Sequence, residues 1–444
     1  MLDAMPDRSS PAPSWRHEIV NALRDRRATV GVVGLGYVGL PMLVSSARAG
    51  FRAVGLDIDP ARVEALSEGR SYVSDVPDHV LADIRSSLRV STKPSALRAC
   101  DVVLICVPTP LTDHRPDLGF IERAGKAVAG SLRPGVLVVL ESTTYPGTTE
   151  EVLRPILETS GLRAGRDFAL AYSPERIDPG RELDHIAKTP KVVGGLTKRD
   201  GELAARFYRS FIHEVEVVST PREAEMAKLI ENTFRQVNIA LVNELAILSK
   251  DLGVDLWEAI GAAATKPFGF MPFWPGPGVG GHCIAIDPSY LAWRVGQRTG
   301  QRLNFVEHAQ EVNARMPRVV AQRVSQALND RGKPLRGSRV LGVGVTYKQD
   351  VNDMRESPAL IVLERLSADG AKVEYHDPYV PSLELGRRRL RSKALTPGRL
   401  ASQDVVVVLT AHSSVDFAEV VRQAPLVVDT RGVTRGRHPN VVRL

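Results

Sequence analysis

The sequence predicts an α/β fold in which two Rossmann-like domains are joined by a long central helix and a helical linker region. Short apolar runs rich in β-branched residues alternate with helical segments through residues 28–219. From Pro221 the apolar residues recur at helical spacing for about thirty residues, and the strand and helix alternation resumes after Gly332-Lys333-Pro334. We therefore predict four segments: a flexible N-terminal extension (1–27), a first Rossmann domain (28–219), a central helical region (220–331) and a smaller Rossmann-like domain (332–444).

The composition predicts a globular, cytoplasmic protein. Of the 444 residues, 43% are hydrophobic, so each of two or three domains can bury its own core. The chain has no apolar run of about 18 residues, and its first residues lack the apolar segment of an export signal. The three cysteines, Cys100, Cys106 and Cys283, fit neither a disulfide framework nor a metal site and indicate a reducing compartment. We therefore predict no membrane association and no bound metal.

The net charge of +7 indicates a negatively charged ligand, either a nucleic acid or an anionic small substrate. A nucleic acid is one explanation of a basic surplus. Because 51 acidic residues are interspersed with the basic ones and only 5% of residues are aromatic, an anionic small substrate explains the charge better. We therefore predict no nucleic acid partner.

A glycine-rich turn follows the first apolar strand and precedes a helix at 40–49. Its glycines have the spacing of the dinucleotide-binding fingerprint, and the turn consists of Gly34, Leu35, Gly36, Tyr37, Val38 and Gly39. Such a turn lets the backbone approach a pyrophosphate, whose charge the helix N-terminus stabilises. We predict that these residues bind a dinucleotide.

The second strand ends in Asp57, eighteen residues after Gly39. A carboxylate at this place bonds the 2′-hydroxyl of a ribose and repels a 2′-phosphate, so NAD is predicted rather than NADP. The alternative for Asp57 is a helix cap. Arg62, one turn further on, is placed either against the adenosine or on the surface.

Polar residues follow the next buried strands of the first domain. Thr109 follows one apolar run, Glu141-Ser142-Thr143 follow another, and a third leads into Ser173-Pro174-Glu175-Arg176. Because ligands of open parallel sheets bind where the strands end, Thr109 and Thr143 are predicted to line the cofactor cleft. Cys106 lies within its apolar run and is predicted to be part of the core.

The long helix predicted from Pro221 should connect two domains. Lys228 and Asn232 are four residues apart and therefore share one face of it. Their spacing fits both a local polar pair and a joint projection into a cleft.

A loop rich in glycine and proline, residues 276–288, surrounds Cys283. Its backbone is able to approach a ligand closely. The pair Asp287-Pro288 resembles an N-cap and a first-turn proline. A helix is therefore predicted to begin near Asp287, with Cys283 next to its N-terminus. A polar helix N-terminus lowers the pKa of a thiol and so favours a reactive Cys283. The alternative is that Cys283 is a small hydrophobic side chain that packs within a glycine-rich loop.

The last domain lacks a glycine fingerprint, so a second dinucleotide is not predicted there. Its charged cluster at 347–357, together with Arg431, suits an anionic partner. An interdomain network of salt bridges is the alternative.

These motifs together resemble the nucleotide-diphosphate-sugar 6-dehydrogenases. The resemblance covers nearly the whole chain from about residue 28, with the motifs in the order of that family. They are the Gly34–Pro41 turn, Glu141-Ser142-Thr143, Ser173-Pro174-Glu175-Arg176, Lys228 with Asn232, Gly280-Gly281-His282-Cys283 with Asp287, and Lys348 with Arg355-Glu356-Ser357. The family implies an NAD-binding N-terminal domain, a homodimer formed through the long central helix, and a C-terminal domain that holds the nucleotide diphosphate.

The reaction that the resemblance implies is a four-electron oxidation of a sugar C6 alcohol to a carboxylate with two NAD⁺. An aldehyde must become a tetrahedral adduct before it can give up a second hydride, and Cys283 would form this thiohemiacetal and then the thioester. Proton transfers would fall to Asp287 and a water near Thr143, and oxyanion stabilisation to Lys228 with Asn232.

The resemblance also implies the binding roles. Glu175 would act in the hydrolysis of the thioester. The substrate would be contacted by Glu175 and also by Lys228, Asn232 and Gly280. The nucleotide diphosphate would be held by Tyr347, Lys348 and Arg431, and the NAD pyrophosphate by Arg355. For His282 we predict loop packing or a substrate contact, because adjacent side chains on an extended segment point apart.

At two positions this sequence differs from the family members that act on UDP-glucose, and these differences bear on which sugar the protein oxidises. Glucose-specific members usually have a lysine and a second glutamate where this chain has Ile286 and Pro179. The sequence at these positions is similar to that of the branch acting on UDP-N-acetylhexosamines. The single best prediction for the substrate is UDP-N-acetylglucosamine, and the alternative is UDP- or TDP-glucose. A two-electron hydroxyacid-type dehydrogenase would not explain Cys283 or the second α/β domain, and a non-catalytic NAD-binding protein is the remaining alternative.

Overall fold

The computed structural model describes residues 14–73, 75–112, 115–176, 183–249, 251–434 and 436–444, apart from the His282 side chain. They form two compact units that separate in sequence between Leu229 and Ile230. Both units contain parallel sheets flanked by helices, which confirms the predicted α/β class. None of the described helices is both long enough and apolar enough to span a bilayer.

The first unit contains an eight-stranded sheet. Its strands, with one short separate pair, are β1 (Thr29–Val33), β2 (Arg52–Leu56), β3 (Leu88–Ser91), β4 (Val102–Ile105), β5 (Leu111–Thr112), β6 (Arg115–Pro116), β7 (Leu137–Leu140), β8 (Ala169–Tyr172), β9 (Lys191–Gly195) and β10 (Val215–Val218). The order in the sheet is β10-β9-β8-β7-β4-β1-β2-β3, while β5 and β6 pair with each other. Neighbouring strands are parallel except β8 and β9, which are antiparallel.

Helices cover both faces of this sheet. They are α1 (Ser14–Arg24), α2 (Gly39–Arg48), α3 (Pro60–Ser67), α4 (Asp78–Asp83), α5 (Gly119–Ala129), α6 (Arg154–Glu158), α7 (Asp184–Lys188), α8 (Lys198–Tyr208) and the start of α9 (Pro221–Ser249), with a 3₁₀ helix at Pro94–Ala99 and a π-helix at Thr149–Leu153. The strands are apolar on both faces, so two separate clusters of buried side chains form, one on each side of the sheet.

The N-terminal extension is partly ordered, so the prediction that residues 1–27 are flexible is wrong for helix α1. The Arg16 guanidinium forms a buried ion pair with Asp200 at 2.8 Å and donates to the carbonyl oxygen of Gly165. Trp15 donates from its indole nitrogen to the Arg166 carbonyl oxygen. These contacts fix α1 on the first unit, whereas residues 1–13 lie outside the described part of the chain.

The second unit begins within α9 and contains a five-stranded parallel sheet in the order β12-β11-β15-β16-β17. The strands are β11 (Arg339–Val343), β12 (Lys372–His376), β13 (Ser382–Leu385), β14 (Arg388–Arg391), β15 (Val405–Val408), β16 (Val427–Asp429) and β17 (Val441–Arg443), of which β13 and β14 form a separate antiparallel hairpin. The helices are α10 (Leu256–Ala263), α11 (His282–Thr299), α12 (Asn304–Asn329), α13 (Pro358–Ala368), α14 (Pro397–Ala401) and α15 (Phe417–Gln423).

A buried carboxylate anchors the first turns of α9 within the first unit. Glu225 accepts hydrogen bonds from the backbone N–H groups of Gly147 and Thr149 and from the Thr149 hydroxyl. Despite these donors, burial raises the pKa of Glu225 from its ordinary value of 4.5 to about 7. The folded chain therefore binds a proton that the unfolded chain releases between these two pH values.

We expect Glu225→Gln to flatten the pH dependence of stability. The stabilising contribution of protonated Glu225 is complete below about pH 4.5 and is lost as the pH rises through about 7, at a cost of up to about 3 kcal/mol. Midpoints of thermal unfolding between pH 5 and 8 should fall more steeply in the unmodified protein than in this variant. The exposed Glu202→Gln is the matched control, and equal slopes for Glu225→Gln and the unmodified protein would refute the assignment.

Candidate functional site

The glycine-rich turn of the first unit leaves space for a ligand. Gly34 has φ +90°, and a Cβ on Gly39 would lie 1.8 Å from the Gly34 carbonyl oxygen, so the chain itself requires glycine at both positions. A Cβ on Gly36 would meet no described atom within 4 Å. Tyr37 is exposed and Val38 caps α2, so the open side of the turn lies at a helix N-terminus. This arrangement fits the pyrophosphate of a dinucleotide.

Asp57 is fixed by the same turn. Its Oδ2 accepts from the Leu35 N–H at 2.7 Å, and its Oδ1 accepts from the Asp59 N–H at 2.9 Å. The cap of α3 is Asp59, which accepts from the backbone of the helix, so Asp57 is not the helix cap. Arg62 lies 3.5 Å from Asp57 Oδ2, and its guanidinium packs over the Tyr72 ring.

The other predicted residues of the first unit lie at the carboxyl edge of the sheet. Thr109 follows β4 and is buried, Thr143 follows β7 and is partly buried, and Glu175 follows β8. Because β4, β7 and β8 are neighbours, the strand ends bring these residues to one edge. Lys228 is buried and donates from Nζ to the Glu175 carbonyl oxygen at 2.5 Å. The first unit therefore combines a dinucleotide turn with an acid and a lysine.

The cysteine loop of the second unit differs from the prediction. Helix α11 begins at His282, not near Asp287, and Gly281 is its N-cap with φ +77°. Cys283 therefore lies exposed in the first helical turn, and residues 282–283 are helical rather than extended. The prediction failed because it assigned Pro288 to the first turn, whereas this proline lies inside the helix. The His282 side chain lies outside the described part of the structure.

A side chain on α9 makes this position of Pro288 tolerable. Proline has no N–H, so the carbonyl oxygen four residues earlier, on Ile284, loses its partner within the helix. Gln236 donates from Nε2 to the Ile284 oxygen at 3.1 Å and replaces that bond. The backbone next to Cys283 is thus held by a side chain that sequence reasoning missed.

The same face of α9 holds the aspartate of the cysteine motif. Asn232 donates from Nδ2 to Asp287 Oδ2 at 2.6 Å, and both side chains are buried. Cys283 and Asp287 are four residues apart in α11 and therefore share one helix face. The structure thus brings together Asn232, Asp287 and the helix that carries Cys283.

The loop after β11 packs on the start of the cysteine helix. A Cβ on Gly281 would lie 2.7 Å from the Tyr347 ring, and a Cβ on Gly280 would lie 2.6 Å from the Glu356 carbonyl oxygen. The Gly281 N–H donates to the Arg355 carbonyl oxygen at 3.1 Å. The predicted substrate residues Tyr347 and Gly280 are therefore neighbours, and glycine is needed to bring these two loops together.

Lys348 and Arg355 both lie in this loop, but they differ in their contacts. Lys348 is partly exposed, and its carbonyl oxygen accepts from the Thr346 hydroxyl. The Arg355 guanidinium binds both carboxylate oxygens of Asp353, so its contact in the second unit is a local ion pair. Its assignment to the NAD pyrophosphate stays a prediction.

Arg431 provides a partly buried positive charge beside the cysteine loop. Its Nε donates to the Leu409 carbonyl oxygen at 2.7 Å, and a Cβ on Gly276 would lie 2.7 Å from its Nη1. Burial lowers the pKa of Arg431 to about 10, so the guanidinium is still charged at neutral pH. The nearby Asp429 carboxylate accepts instead from the backbone and from Thr434. An anionic group of a ligand suits this position.

A buried cluster of charges in the first unit was not predicted. Lys191 lies between Glu141 and Glu175, and the Tyr208 hydroxyl donates to Glu141 at 2.5 Å. The one signal in the sequence is a lysine at the start of an otherwise apolar strand. Among the described residues, no group of three or more His, Cys, Asp or Glu side chains is arranged to hold a metal ion.

Comparison with known proteins identifies the family. Residues 28–212 match the NAD binding domain of the UDP-glucose/GDP-mannose dehydrogenase family, residues 222–315 match its central domain, and residues 341–436 match its UDP binding domain. The chain belongs to the UDP-glucose/GDP-mannose dehydrogenase family. It is therefore an NAD-dependent nucleotide-sugar dehydrogenase, and the predicted cofactor is confirmed.

Two curated relatives of this dehydrogenase match along most of their length. A UDP-N-acetyl-D-mannosamine dehydrogenase of Pyrococcus horikoshii is 33% identical over 92% of this chain and 99% of its own. A UDP-N-acetyl-D-glucosamine 6-dehydrogenase of Pseudomonas aeruginosa is 36% identical over 86% of this chain and 90% of its own. A solved structure of a UDP-D-ManNAc dehydrogenase from Pyrococcus horikoshii has a TM-score of 0.85, with 33% identity over 94% of this chain and 98% of that chain.

Asp57→Ala should weaken NAD binding to this dehydrogenase. The carboxylate is predicted to accept a charge-assisted hydrogen bond from a ribose hydroxyl, and the loss of this bond should cost about 1–2 kcal/mol, or roughly five- to thirtyfold in Kd. Calorimetric titration with NAD⁺ measures this change. Asp59→Ala removes the helix cap and an exposed ion pair with Arg62, and it should leave the Kd within about twofold. Unchanged NAD affinity in Asp57→Ala would place the ribose contact elsewhere.

Proposed function

We propose that this dehydrogenase oxidises the C6 alcohol of a nucleotide-diphosphate hexose to the carboxylate, with Cys283 as a covalent nucleophile. The observation that supports this most directly is the exposed thiol in the first turn of α11, one turn before Asp287. A two-electron alcohol oxidation needs no thiol. Oxidation beyond the aldehyde needs an adduct that can lose a second hydride.

The proposed reaction converts one alcohol, one water and two NAD⁺ into one carboxylate, two NADH and three protons. Bound NAD⁺ supplies a hydride acceptor for each oxidation. Between the oxidations the Cys283 thiolate adds to the aldehyde carbon, and loss of the second hydride converts the thiohemiacetal into a thioester. Water then attacks the acyl carbon, the carbon–sulfur bond breaks, and the sulfur leaves as thiolate.

We assign the remaining roles from the residues around these groups. Asp287, held by Asn232, takes the proton of the alcohol, with a water near Thr143 assisting. Lys228 and Asn232 stabilise the developing oxyanion, because their N–H donors are buried and already oriented. Glu175 takes the proton of the hydrolytic water.

The decisive experiment is the NADH yield per sugar. Purified protein is mixed with NAD⁺ and limiting amounts of UDP-N-acetylglucosamine, UDP-N-acetylmannosamine, UDP-glucose and TDP-glucose in parallel. Two NADH per sugar is the expected result. One NADH would indicate a two-electron dehydrogenase, and none with any sugar would indicate a binding protein.

For the substrate we propose a UDP-linked N-acetylhexosamine. The match of residues 341–436 to a UDP binding domain favours UDP over TDP. Relatives named for N-acetylmannosamine and for N-acetylglucosamine support the acetamido sugar, and UDP-N-acetylglucosamine stays our single sequence-based prediction. Ile286 and Pro179 support the same branch, although Pro179 lies outside the described residues. A higher kcat/KM for UDP-glucose would overturn this assignment.

We also propose that a second copy of the chain covers α9. The part of α9 in the second unit exposes a stripe of large apolar side chains, consisting of Ile230, Phe234, Leu241, Leu245 and Leu248. At about 100° per residue they all fall within about 60° of one another, and a stripe of this kind marks a protein contact. Light scattering of Leu241→Glu should give a monomer, whereas Arg235→Glu, on another face, should remain a dimer. A dimeric Leu241→Glu variant would refute this interface.

A further inference from the structure

The turn after β11 in the second unit repeats a hydrogen bond of the glycine turn in the first unit. In the first unit Asp57 Oδ2 accepts from the Leu35 N–H at 2.7 Å. In the second unit Asp377 directly follows β12, and its Oδ2 accepts from the Val345 N–H, also at 2.7 Å. Asp377 therefore occupies the position that corresponds to Asp57, the residue predicted to bind a ribose.

A buried histidine covers this second carboxylate. His412 Nε2 lies 3.0 Å from Asp377 Oδ2, and the two residues are 0% and 2% exposed. The other ring nitrogen of His412, Nδ1, accepts from the Asp350 N–H at 3.1 Å. Because Nδ1 accepts, the ring proton is on Nε2, which donates to Asp377. Asp377 is therefore bonded by the protein itself and does not take a ribose.

The bond from His412 Nδ1 holds a residue in an unfavourable conformation. Asp350 has φ +59°, a left-handed conformation that is costly for a residue with a Cβ. Its Oδ1 accepts from the Ser413 N–H at 2.9 Å, and the Tyr379 ring, whose hydroxyl donates to the same oxygen, packs against the imidazole. Backbone strain of this kind persists only where surrounding contacts hold it, and it is common in ligand-binding loops.

The same imidazole holds the other end of the segment that carries the predicted diphosphate residues. The buried Thr346 hydroxyl lies 3.3 Å from His412 Nε2 and donates to the Lys348 carbonyl oxygen at 2.8 Å. Tyr347 and Lys348 therefore lie between two residues that contact His412, with Thr346 before them and Asp350 after them. One side chain thus fixes the backbone of residues 346–350 at both ends.

We propose that His412 is a positioning residue for the nucleotide diphosphate. Its two ring nitrogens fix residues 346–350 in the conformation from which the Lys348 ammonium contacts the phosphates. The imidazole is completely buried and acts only through this segment. This inference rests on the proposed nucleotide-diphosphate substrate and on the predicted role of Lys348.

Two substitutions separate the two bonds of His412. His412→Asn places an amide oxygen near the position of Nδ1 and keeps an acceptor for the Asp350 N–H. His412→Gln places an amide nitrogen near the position of Nε2 and keeps the donor for Asp377. We expect His412→Gln to raise the Kd for free UDP and the KM for the nucleotide sugar about tenfold with little change in kcat, and His412→Asn to raise them less than about threefold.

The thermal stability of the two variants is the control for damage to the fold. Each variant loses one buried hydrogen bond, so their midpoints of thermal unfolding should fall by similar amounts. Calorimetric titration with UDP and with NAD⁺ measures the two nucleotide sites, and the affinity for NAD⁺ should not change. Equal Kd values for UDP in the two variants, or a weaker affinity in His412→Asn, would overturn the proposal.

A double-mutant cycle shows whether His412 acts through Lys348. In Lys348→Ala the contact to the phosphates is already lost, so adding His412→Gln should leave the UDP Kd of that variant within about twofold. A further loss of about tenfold would mean that His412 supports UDP binding by another route. Either that result or an unchanged UDP Kd in Lys348→Ala alone would overturn the positioning role.

Asp350 provides a second pair of variants if His412→Gln does not fold. This residue is only partly buried, and Asp350→Gly and Asp350→Ala both remove its carboxylate. Only alanine disfavours the left-handed conformation, so UDP should bind about fivefold more weakly to Asp350→Ala than to Asp350→Gly. Equal UDP affinities would show that this conformation does not position the segment and would overturn the proposal.

These binding measurements separate the inference from the proposed reaction. A yield of one NADH per sugar in the unmodified protein would refute the four-electron oxidation and leave the UDP titrations standing. Unchanged UDP affinity in His412→Gln, together with a yield of two NADH, would refute the positioning role alone.

Discussion

Replacement of Cys283 by serine should abolish uronate formation while leaving NAD⁺ affinity unchanged. A serine hydroxyl is not ionised near neutral pH, and an ester releases its alkoxide far less readily than a thioester releases a thiolate. We expect the rate of carboxylate formation to fall by roughly a thousandfold or more. The measurement is uronate production by mass spectrometry, with NAD⁺ titration as the check on the first unit, where the glycine turn lies.

Cys106 provides a matched control for this thiol. It is 7% exposed and packs against the glycine turn, since a Cβ on Gly34 would lie 2.8 Å from the Cys106 carbonyl oxygen. Cys106→Ala should lower stability without changing turnover per folded molecule. Iodoacetamide should label the exposed Cys283 long before the buried Cys106. Wild-type turnover in Cys283→Ser would exclude the covalent mechanism.

The strands and the glycine turn were predictable because their signals are local. An apolar run of four or five residues that ends in a glycine or a polar residue indicates a buried parallel strand wherever it occurs. The helix around Cys283 was not predictable in the same way. In this helix Pro288 leaves the Ile284 carbonyl oxygen without a helical partner, and the side chain that bonds this oxygen, Gln236, lies more than forty residues away in sequence.

The Lys191 cluster was missed for a different reason. Whether a lysine at the start of a strand reaches the carboxyl edge depends on the direction of that strand, and β9 is antiparallel to β8. Direction is a property of the sheet and leaves no trace in the run Lys191–Gly195 itself. Likewise, Arg16 would have been taken for a surface residue, because its partner Asp200 is far along the chain.

The pairing of Asn232 with Asp287 shows that the spacing of two residues in a helix predicts which face they share but does not predict their partners. The sequence places Lys228 and Asn232 on one face of α9, which fits both a polar pair and a joint projection. In the structure each has its own partner, because Lys228 bonds the Glu175 backbone and Asn232 bonds Asp287. The boundary between the two units falls between these two residues in sequence, so Lys228 belongs to the first unit and Asn232 to the second.

Lys348→Ala should raise the KM for the nucleotide sugar and leave the Kd for NAD⁺ unchanged. Lys348 follows the carboxyl end of β11, in the loop that packs against Gly280 and Gly281, and it is partly exposed. A charge-assisted bond to a phosphate contributes about 1.5–3 kcal/mol, so the KM should rise tenfold to about a hundredfold. Lys372→Ala, an exposed lysine at the amino end of β12, is the matched control and should change neither constant.

Arg431→Lys tests the same predicted diphosphate site from the end of β16, which is separated from β11 by β15 in the sheet. It keeps the charge but removes the planar fork that bonds Leu409 and faces the cysteine loop, so the KM should rise while the fold is preserved. Calorimetry with free UDP and with NAD⁺ separates the two nucleotide sites in both variants. Loss of UDP affinity alone is the expected outcome, because the match to the UDP binding domain spans Lys348 and Arg431. Loss of NAD⁺ affinity with unchanged UDP affinity would mean that the two nucleotides bind to the opposite domains.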